Sequence, residues 1–223
     1  ALGMDKAKCS EAVRGASVPV PDFFLVHKGE IAQSVSEKVC DSFGFPCVVK
    51  PNASGSSVGV SIVHDAHDVS LALERAWCED EAVMVQRYIP GREFSCGVMG
   101  NTGQTNIEAL PIIEIIPKSS EFFDYGAKYT PNASEEVCPA VLLEEIADRI
   151  RKFSILVHTT LGCDGLTRSD FRLDFEGRLF FLEINTVPGQ TETSLCPKEA
   201  LVAGMTFFEF VEKQIALALE RIR

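Results

Sequence analysis

Asp170 and Glu183 are the residues whose spacing most clearly indicates chemistry. They lie on two predicted strands, and a two-residue turn at Glu176-Gly177 would set them directly opposite each other. Two facing carboxylates repel unless a cation lies between them. Mg²⁺ prefers carboxylate and amide oxygens, and the same face would carry Asn185. The pattern predicts a magnesium site of Asp170, Glu183 and Asn185; the alternative is a solvated hairpin face with incidental charges.

The turn of this hairpin decides whether the two carboxylates face each other. With the two-residue turn, the opposite face would carry core residues, namely Phe171, Leu173, Leu182 and Ile184. A three-residue loop with Gly177 in the left-handed region would shift the register by one residue and weaken the argument.

A small-residue loop after a lysine could bind phosphate. An apolar strand over 45–51 presents Lys50 near its end, and the Gly/Ser segment Gly55–Gly59 follows. Backbone N–H groups of such a loop can surround a phosphate because no large side chain obstructs them. The sequence contains neither GxxxxGK[ST] nor a GxGxxG after a strand, which disfavours P-loop and Rossmann binding. The alternative is an ordinary turn between strands.

The loop after the hairpin could stabilise an oxyanion. Gly189 could present a backbone N–H to a reacting carbonyl oxygen, and Arg168, on the facing strand, could reach the same oxygen. The alternative is an ordinary Pro-Gly turn. The four histidines show no partner pattern, and the lack of a GxSxG motif disfavours a serine hydrolase.

The elements that would position these groups form two α+β lobes. Residues 1–16 form a leading helix, 17–90 the first lobe and 91–223 the second, with a hinge at Pro90-Gly91 and a long polar loop over 117–139. Helices are predicted over 4–16, 36–43, 65–77, 142–161 and 206–222. Strands are predicted over 22–26, 45–51, 60–64, 82–88, 93–99, 107–116, 166–174 and 178–184.

Composition excludes several classes of function. The chain has 223 residues, and 21 Lys and Arg against 32 Asp and Glu give a formal charge of −11, which argues against nucleic acid as a partner. No apolar stretch approaches the length of a membrane helix, so no membrane role is expected. The eight cysteines lack metal-ligand spacing and indicate reduced thiols in the cytoplasm.

The order of these motifs along the whole chain closely resembles the D-alanine:D-alanine ligases, ATP-grasp enzymes of bacterial wall synthesis. The motifs are VVKP at 48–51, GSSVG at 55–59, REF at 92–94, YGAKY at 125–129, RSD at 168–170 and LEINTVPG at 182–189. The resemblance implies an α+β ATP-grasp fold whose two lobes clamp ATP. It also implies that ATP phosphorylates one D-alanine and that the amine of a second attacks the acyl phosphate.

The resemblance assigns roles to individual residues. Nucleotide contacts would come from Lys6, Lys50, Ser56, Ser57, Gln86, Arg87, Ile89, Glu93 and Lys128, with Glu93 on the ribose and 84–89 along the adenine. Asp170, Glu183 and Asn185 would hold two Mg²⁺ ions, for which Mn²⁺ can substitute. Catalytic groups would be Arg168, Lys128, Ser56, Tyr129 and Gly189, and substrate contacts Tyr129, Arg168, Gly189, Ser194 and Leu195. The loop over 117–139 would be a lid that carries Lys128.

Three residues depart from the family pattern. Gln86 replaces a common glutamate beside the adenine, Gly126 replaces a glutamate in the lid motif, and Gln190 replaces a methionine. The family's preceding Rossmann-like domain, which supplies a glutamate for the first D-alanine, is not in the sequence. We therefore expect Mg-ATP binding with poor ligation by this chain alone. A homodimer, a ligase with a different acceptor, and a non-catalytic ATP-binding module stay open.

Overall fold

The structure is a computed structural model that describes residues 2–55, 57–118 and 134–221. The helices are α1 (Lys6–Gly15), α2 (Ala32–Ser42), α3 (Val69–Trp77), α4 (Glu144–Thr160), α5 (Leu195–Val202) and α6 (Phe207–Glu220). The strands are β1 (Phe23–His27), β2 (Cys47–Pro51), β3 (Ser61–Val63), β4 (Ala82–Arg87), β5 (Arg92–Asn101), β6 (Glu108–Ala109), β7 (Ile113–Pro117), β8 (Ser134–Val137), β9 (Asp164–Leu173) and β10 (Leu179–Asn185).

The first sheet is antiparallel and has the order β1-β4-β2-β3. Helices α2 and α3 cover one of its faces, where valines such as Val39, Val49 and Val85 are fully buried. Strand residues alternate between the two faces, so Val48, Lys50 and Gln86 point away from these helices. The uncovered face of the sheet therefore presents one lysine and one amide.

The second sheet is also antiparallel, with the order β10-β9-β5-β7-β8 and β6 paired to β5. Helices α1 and α4 cover one face with a core that includes Val13, Ile150, Phe171 and Phe181. On the other face, α5 and α6 cover only the end of the sheet that carries Met99 and Leu166. The rest of that face is open and presents alternate residues of β5, β9 and β10.

The hairpin between β9 and β10 has the alternative three-residue loop, yet Asp170 and Glu183 still face each other as predicted. Its loop has three residues, with Gly177 at φ +78°, so the strands begin one residue out of the expected register. A β-bulge at Leu182 then inserts one residue, and Glu183 lies opposite Asp170. The prediction that Leu182 belongs to the core is wrong, because Phe181 takes the core position while Leu182 lines the cavity described below.

Several other element boundaries differ from prediction. Helix α2 begins at Ala32, four residues early, and the predicted strand 107–116 is split at Pro111, which cannot donate to a sheet. The predicted loop 117–139 contains β8, and its residues 119–133 lie outside the described residues. Helix α5 was not predicted, because its sequence LCPKEALV has no polar face. No described helix has both the length and the apolar content needed to cross a bilayer.

Candidate functional site

A cavity of about 720 Å³ lies between the open faces of the two sheets. Every predicted site residue within the described part of the chain lines it. These residues are Lys6, Lys50, Ser57, Gln86, Arg87, Ile89, Glu93, Arg168, Asp170, Glu183, Asn185, Gly189, Ser194 and Leu195. Ser56, Lys128 and Tyr129 lie outside the described residues.

The open faces of the first and second sheets form the first and second walls of the cavity, and Lys50 is the buried cation of the first wall. Its Nζ donates a hydrogen bond of 2.9 Å to Oε1 of Gln86, an uncharged partner. Burial lowers the pKa of Lys50 to about 8, and the distant carboxylate of Glu183 only partly opposes that shift. The Nε2 of Gln86 is buried without a partner among the described residues. An anionic ligand would compensate Lys50 more fully than the amide does.

Asn52 positions Lys6, a contact that sequence reasoning missed. The side-chain oxygen of Asn52 accepts from the backbone N–H of Ala7 at 2.9 Å, and its backbone oxygen accepts from that of Lys6 at 3.0 Å. The Nδ2 of Asn52 donates to Asp5, the N-cap of α1. The start of α1 is thereby fixed against the end of β2, and the Lys6 Nζ donates to the backbone oxygen of Ser54.

The loop after β2 has the backbone of a tight turn. Ser57 has φ +59°, which is uncommon for a residue with a side chain, and Gly59 has φ +72°. A Cβ on Gly59 would lie 3.0 Å from Cγ of Pro51 and 3.1 Å from Cγ of Glu79. Glycine is therefore required at position 59, and the loop lines the cavity at Ser54, Gly55 and Ser57.

The second wall is built from alternate residues of β9. Arg168 donates from Nε and Nη2 to the two oxygens of Asp170, both at 3.0 Å, and Ser95 Oγ donates to the same carboxylate at 2.7 Å. Burial alone would lower the pKa of Arg168, but the adjacent Asp170 carboxylate raises it above the ordinary value. The guanidinium and the carboxylate are therefore held side by side by two hydrogen bonds.

The residues predicted to hold Mg²⁺ lie together on this wall. Glu183 is the register partner of Asp170, and Asn185 is that of Arg168. The Oδ1 of Asn185 accepts from the backbone N–H of Val187 at 3.1 Å. Among the described residues, no group of three or more Asp, Glu, His or Cys side chains is arranged so that it could hold a metal ion by itself. Two carboxylates and an amide fit a hard cation whose remaining ligands are oxygens of a nucleotide or water.

Arg172, two residues beyond Asp170 on β9, is a cavity-lining residue that sequence reasoning missed. Its side chain is buried and donates to Oε2 of Glu93 from Nη2 at 3.0 Å and from Nε at 3.3 Å. The signal for it was available, because residues 168, 170 and 172 alternate on one face of a strand. The functional face therefore extends one residue pair further than predicted.

Glu199 of α5 lies beside the second wall, on the same face of the sheet, and was also missed. Its Oε2 accepts from the backbone N–H of Gly97 at 2.8 Å, and its buried Oε1 has no partner among the described residues. Gly97 is the register partner of Arg168, and a Cβ there would lie 2.4 Å from the Glu199 carboxylate. Burial raises the pKa of Glu199 to about 8, against the lowering effect of the Gly97 hydrogen bond and of Arg168.

The loop between β10 and α5 brings Gly189 close to Ser194. A Cβ at residue 189 would lie 2.7 Å from the Ser194 Oγ, so a larger residue would have to displace that hydroxyl. Ser194 is the N-cap of α5, and its Oγ accepts from the Thr191 N–H at 3.2 Å. The start of α5, at Leu195, therefore faces the cavity with backbone N–H groups suited to an anion.

Comparison with known proteins identifies relatives along nearly the whole chain. Residues 12–216 match the family model described as the D-ala D-ala ligase C-terminus. The D-alanine–D-alanine ligase of Desulfotalea psychrophila is 40% identical over 223 residues, which are 99% of this chain and 68% of that protein.

Solved structures agree with this match. The D-alanine–D-alanine ligase of Bacillus anthracis complexed with ATP superposes with a TM-score of 0.81 at 30% identity, covering 98% of this chain and 67% of that one. The VanG D-Ala:D-Ser ligase of Enterococcus faecalis superposes with a TM-score of 0.84 at 29% identity, covering 97% of this chain and 62% of that one. The chain thus spans about two thirds of the length of these relatives.

Proposed function

The chain belongs to the D-alanine–D-alanine ligase family, whose C-terminal region it matches, and we propose that it forms the ATP-binding and catalytic part of such a ligase. Its fold is the ATP-grasp fold of those ATP-dependent enzymes. One observation carries the proposal: two sheets enclose a single cavity in which a buried lysine on one wall faces an arginine and two carboxylates on the other.

We propose that the first wall and the hinge hold ATP. Lys6 donates to the backbone oxygen of Ser54 in this loop, and Lys50 and Ser57 line the same cavity. The two lysines, the loop N–H groups, Ser56 and Ser57 would bind the phosphates together. Gln86, Arg87 and Ile89 would contact the base, Glu93 the ribose and Lys128 the transferred phosphoryl group. The burial of Lys50 supports this, because a desolvated ammonium gains most from an anionic partner.

We propose that Asp170, Glu183 and Asn185 hold Mg²⁺ that arrives with the nucleotide. Two ions, or Mn²⁺ in their place, would neutralise the charge that develops on the phosphates during transfer. The facing positions of Asp170 and Glu183 support this assignment, because a cation bound by both carboxylates relieves the repulsion between them.

We propose that Arg168, Gly189 and Tyr129 serve the ligation. The γ-phosphoryl group would pass to the carboxylate of one D-alanine, ADP would leave, and the amine of the second would attack the acyl carbon and expel phosphate. Arg168 and the Gly189 N–H would stabilise the oxyanion. The start of α5, at Ser194 and Leu195, would bind the carboxylate of the second D-alanine.

We propose that residues 17–90 and 91–223 are two lobes hinged at Pro90-Gly91, in line with the two separate sheets. A cytoplasmic location is supported by eight cysteines without a disulfide between them. A homodimer is supported by exposed apolar side chains on the last two helices, among them Leu201, Phe208 and Leu219. The role in peptidoglycan precursor synthesis follows from the dipeptide product.

Titration calorimetry with ATP, with and without Mg²⁺, tests the nucleotide site on this chain directly. We expect binding in both cases, tighter with Mg²⁺, and loss of the Mg²⁺ effect in Asp170→Asn. Ligation is tested by phosphate release with D-alanine after fusion to the N-terminal region of a longer relative. No heat with Mg-ATP would overturn the proposal.

The acceptor amino acid is a separate question. The match to a D-Ala:D-Ser ligase makes D-serine a specific alternative for the second substrate. Product analysis with D-alanine, D-serine and D-lactate as competing acceptors decides between them. We propose D-alanine, since the 40% identical relative is a D-alanine–D-alanine ligase.

A further inference from the structure

Arg172 makes the densest set of buried polar contacts at the hinge. Its side chain is 6% exposed, and Nη2 and Nε donate to Oε2 of Glu93 at 3.0 and 3.3 Å. Its Nη1 donates to the backbone oxygens of Ile89 and Gly91 at 3.3 and 3.5 Å and to Oη of Tyr88 at 3.5 Å. One guanidinium therefore joins β9 to both sides of the turn between the sheets.

The backbone at Gly91 packs directly against β9 and leaves no room for a side chain. Gly91 has φ +134°, and a Cβ there would lie 2.1 Å from the carbonyl oxygen of Leu173, the neighbour of Arg172. The chain thus passes β9 at backbone contact distance, within reach of the Arg172 guanidinium. A lysine could replace the charge but not these contacts, because it lacks the planar fork that reaches several acceptors at once.

We propose that Arg172 is a positioning residue for nucleotide recognition, which holds Glu93 in place for the ribose hydroxyls and fixes residues 88–91 as the wall of the base slot. The inference rests on the proposed function, because it takes Glu93 as the ribose contact. It goes beyond that function by giving β9, through Arg172, a part in a selectivity otherwise attributed to Glu93 and the hinge.

Two observations support the positioning of Glu93 by Arg172. Glu93 and Arg172 are register partners on β5 and β9, so their side chains leave the sheet on the same face. Both bonds from Arg172 end on one oxygen of Glu93, which fixes the rotamer of the carboxylate. Ribose hydroxyls are donors, and a carboxylate held still loses less entropy on accepting them than a mobile one.

The test compares ATP with 2′,3′-dideoxy-ATP on this chain by calorimetry at constant excess Mg²⁺. We expect the parent to bind ATP about tenfold more tightly, the typical effect of hydrogen bonds to a charged group. In Arg172→Met we expect that ratio to fall below about threefold. The matched control is Arg92→Met, which removes the neighbouring bidentate pair with Glu114 on the other face of β5 and should keep the parent ratio.

A second variant covers the case in which Arg172→Met fails to fold, since it leaves Glu93 buried without its cation. In Arg172→Lys the charge pair can persist but the hinge contacts cannot. We expect the ratio of ATP affinity to 2′,3′-dideoxy-ATP affinity to stay near the parent value. The affinity for each nucleotide should fall several-fold, and amide hydrogen exchange over 88–93 should accelerate.

These outcomes separate the inference from the proposed function. A parent that binds neither nucleotide refutes the function, and the exchange comparison then still tests the hinge contacts without any ligand. A parent ratio preserved in Arg172→Met, or unchanged exchange and affinity in Arg172→Lys, overturns the inference.

Discussion

The two walls of the cavity hold their charges in opposite ways. On the first sheet, Lys50 is buried against the uncharged amide of Gln86. On the second, Arg168 and Arg172 are each bonded to a carboxylate, Asp170 and Glu93 respectively. The first wall therefore presents a cation with little compensation, whereas the second presents ion pairs already assembled.

The difference indicates how each wall can act. A buried ammonium whose hydrogen-bond partner among the described residues is a neutral amide destabilises the folded protein, and a bound phosphate would relieve that cost. Paired groups need no ligand to stay in place and are suited to orienting reactants. In this interpretation the first wall supplies affinity for the nucleotide, and the second supplies geometry for the reaction.

The largest effect should come from breaking the second wall at Arg168. Without its guanidinium the oxyanion loses one donor, so we expect Arg168→Ala to lower the ligation rate about 100- to 1000-fold. ATP affinity should change less than about threefold, since the first wall is intact. Single-turnover phosphate release in the fused ligase and calorimetry on the chain measure the two quantities.

The control for that experiment is Arg178→Ala, an exposed arginine on the same hairpin that pairs with Asp174. It should leave both quantities unchanged. If Arg168→Ala ligates at a tenth of the parent rate or better, Arg168 does not stabilise the oxyanion, and the division of roles between the walls fails.

Glu199, beside the second wall, is tested through the pH dependence of stability. Its pKa is raised from 4.5 to about 8, so the folded state keeps a proton that the unfolded state loses near pH 4.5. Stability therefore falls as pH rises between these values, by up to about 1.4 kcal/mol per pH unit. Glu199→Gln keeps an acceptor for the Gly97 N–H but cannot titrate.

We expect urea unfolding at pH 5, 6.5 and 8 to show that the parent loses stability relative to Glu199→Gln as pH rises. Glu212→Gln, a change at an exposed position, should follow the parent. Parallel curves for the parent and Glu199→Gln would mean that Glu199 is ionised in the folded protein across this range.

The first wall is tested by giving Lys50 a charged partner. Its pKa of about 8 means that the ammonium, which attracts phosphate, is lost as pH rises above that value. ATP affinity should then fall by about tenfold between pH 7 and 9.5. In Gln86→Glu the added carboxylate raises the lysine pKa, so the fall should move to higher pH.

Calorimetric titrations across that pH range make the measurement, with Gln214→Glu, on α6, as the control for added charge. The same pH profile in Gln86→Glu and the parent would show that Lys50 does not govern the affinity. The first wall would then owe its binding to the loop N–H groups.

Sequence reasoning predicted which residues lie together around the cavity more accurately than it predicted the bounds of the elements that carry them. The pairing of Asp170 with Glu183 was confirmed, although the loop was one residue longer than predicted and a bulge at Leu182 compensated. The three-residue loop with left-handed Gly177 was the stated alternative to the two-residue turn. The bulge was not predicted, because it goes with the packing of Phe181 into the core and has no local sequence signature.

The residues that were missed share one property. Asn52, Arg172 and Glu199 each make their contacts across more than 40 positions of sequence, to Ala7, Glu93 and Gly97. Local periodicity could place Arg172 on the same face of β9 as Arg168 and Asp170, but it contains no information on the partners of these three residues. Their roles became visible only when the two sheets and α5 were placed in space.

The smallest effect concerns the helices that support the two walls. On the second-sheet side, α6 begins with a capping box formed by Thr206 and Glu209. Helix α2, which covers the first sheet, has Ile31 as its N-cap residue and no side-chain capping hydrogen bond. Ile31 is 69% exposed and already has the extended backbone of an N-cap. Ile31→Ser should therefore raise the free energy of unfolding by about 0.5–1 kcal/mol. Urea unfolding measures it. Ile31→Ala, which removes the same apolar side chain without adding an acceptor, should give no gain. An equal gain in both variants would assign the effect to the lost apolar surface rather than to a new capping hydrogen bond.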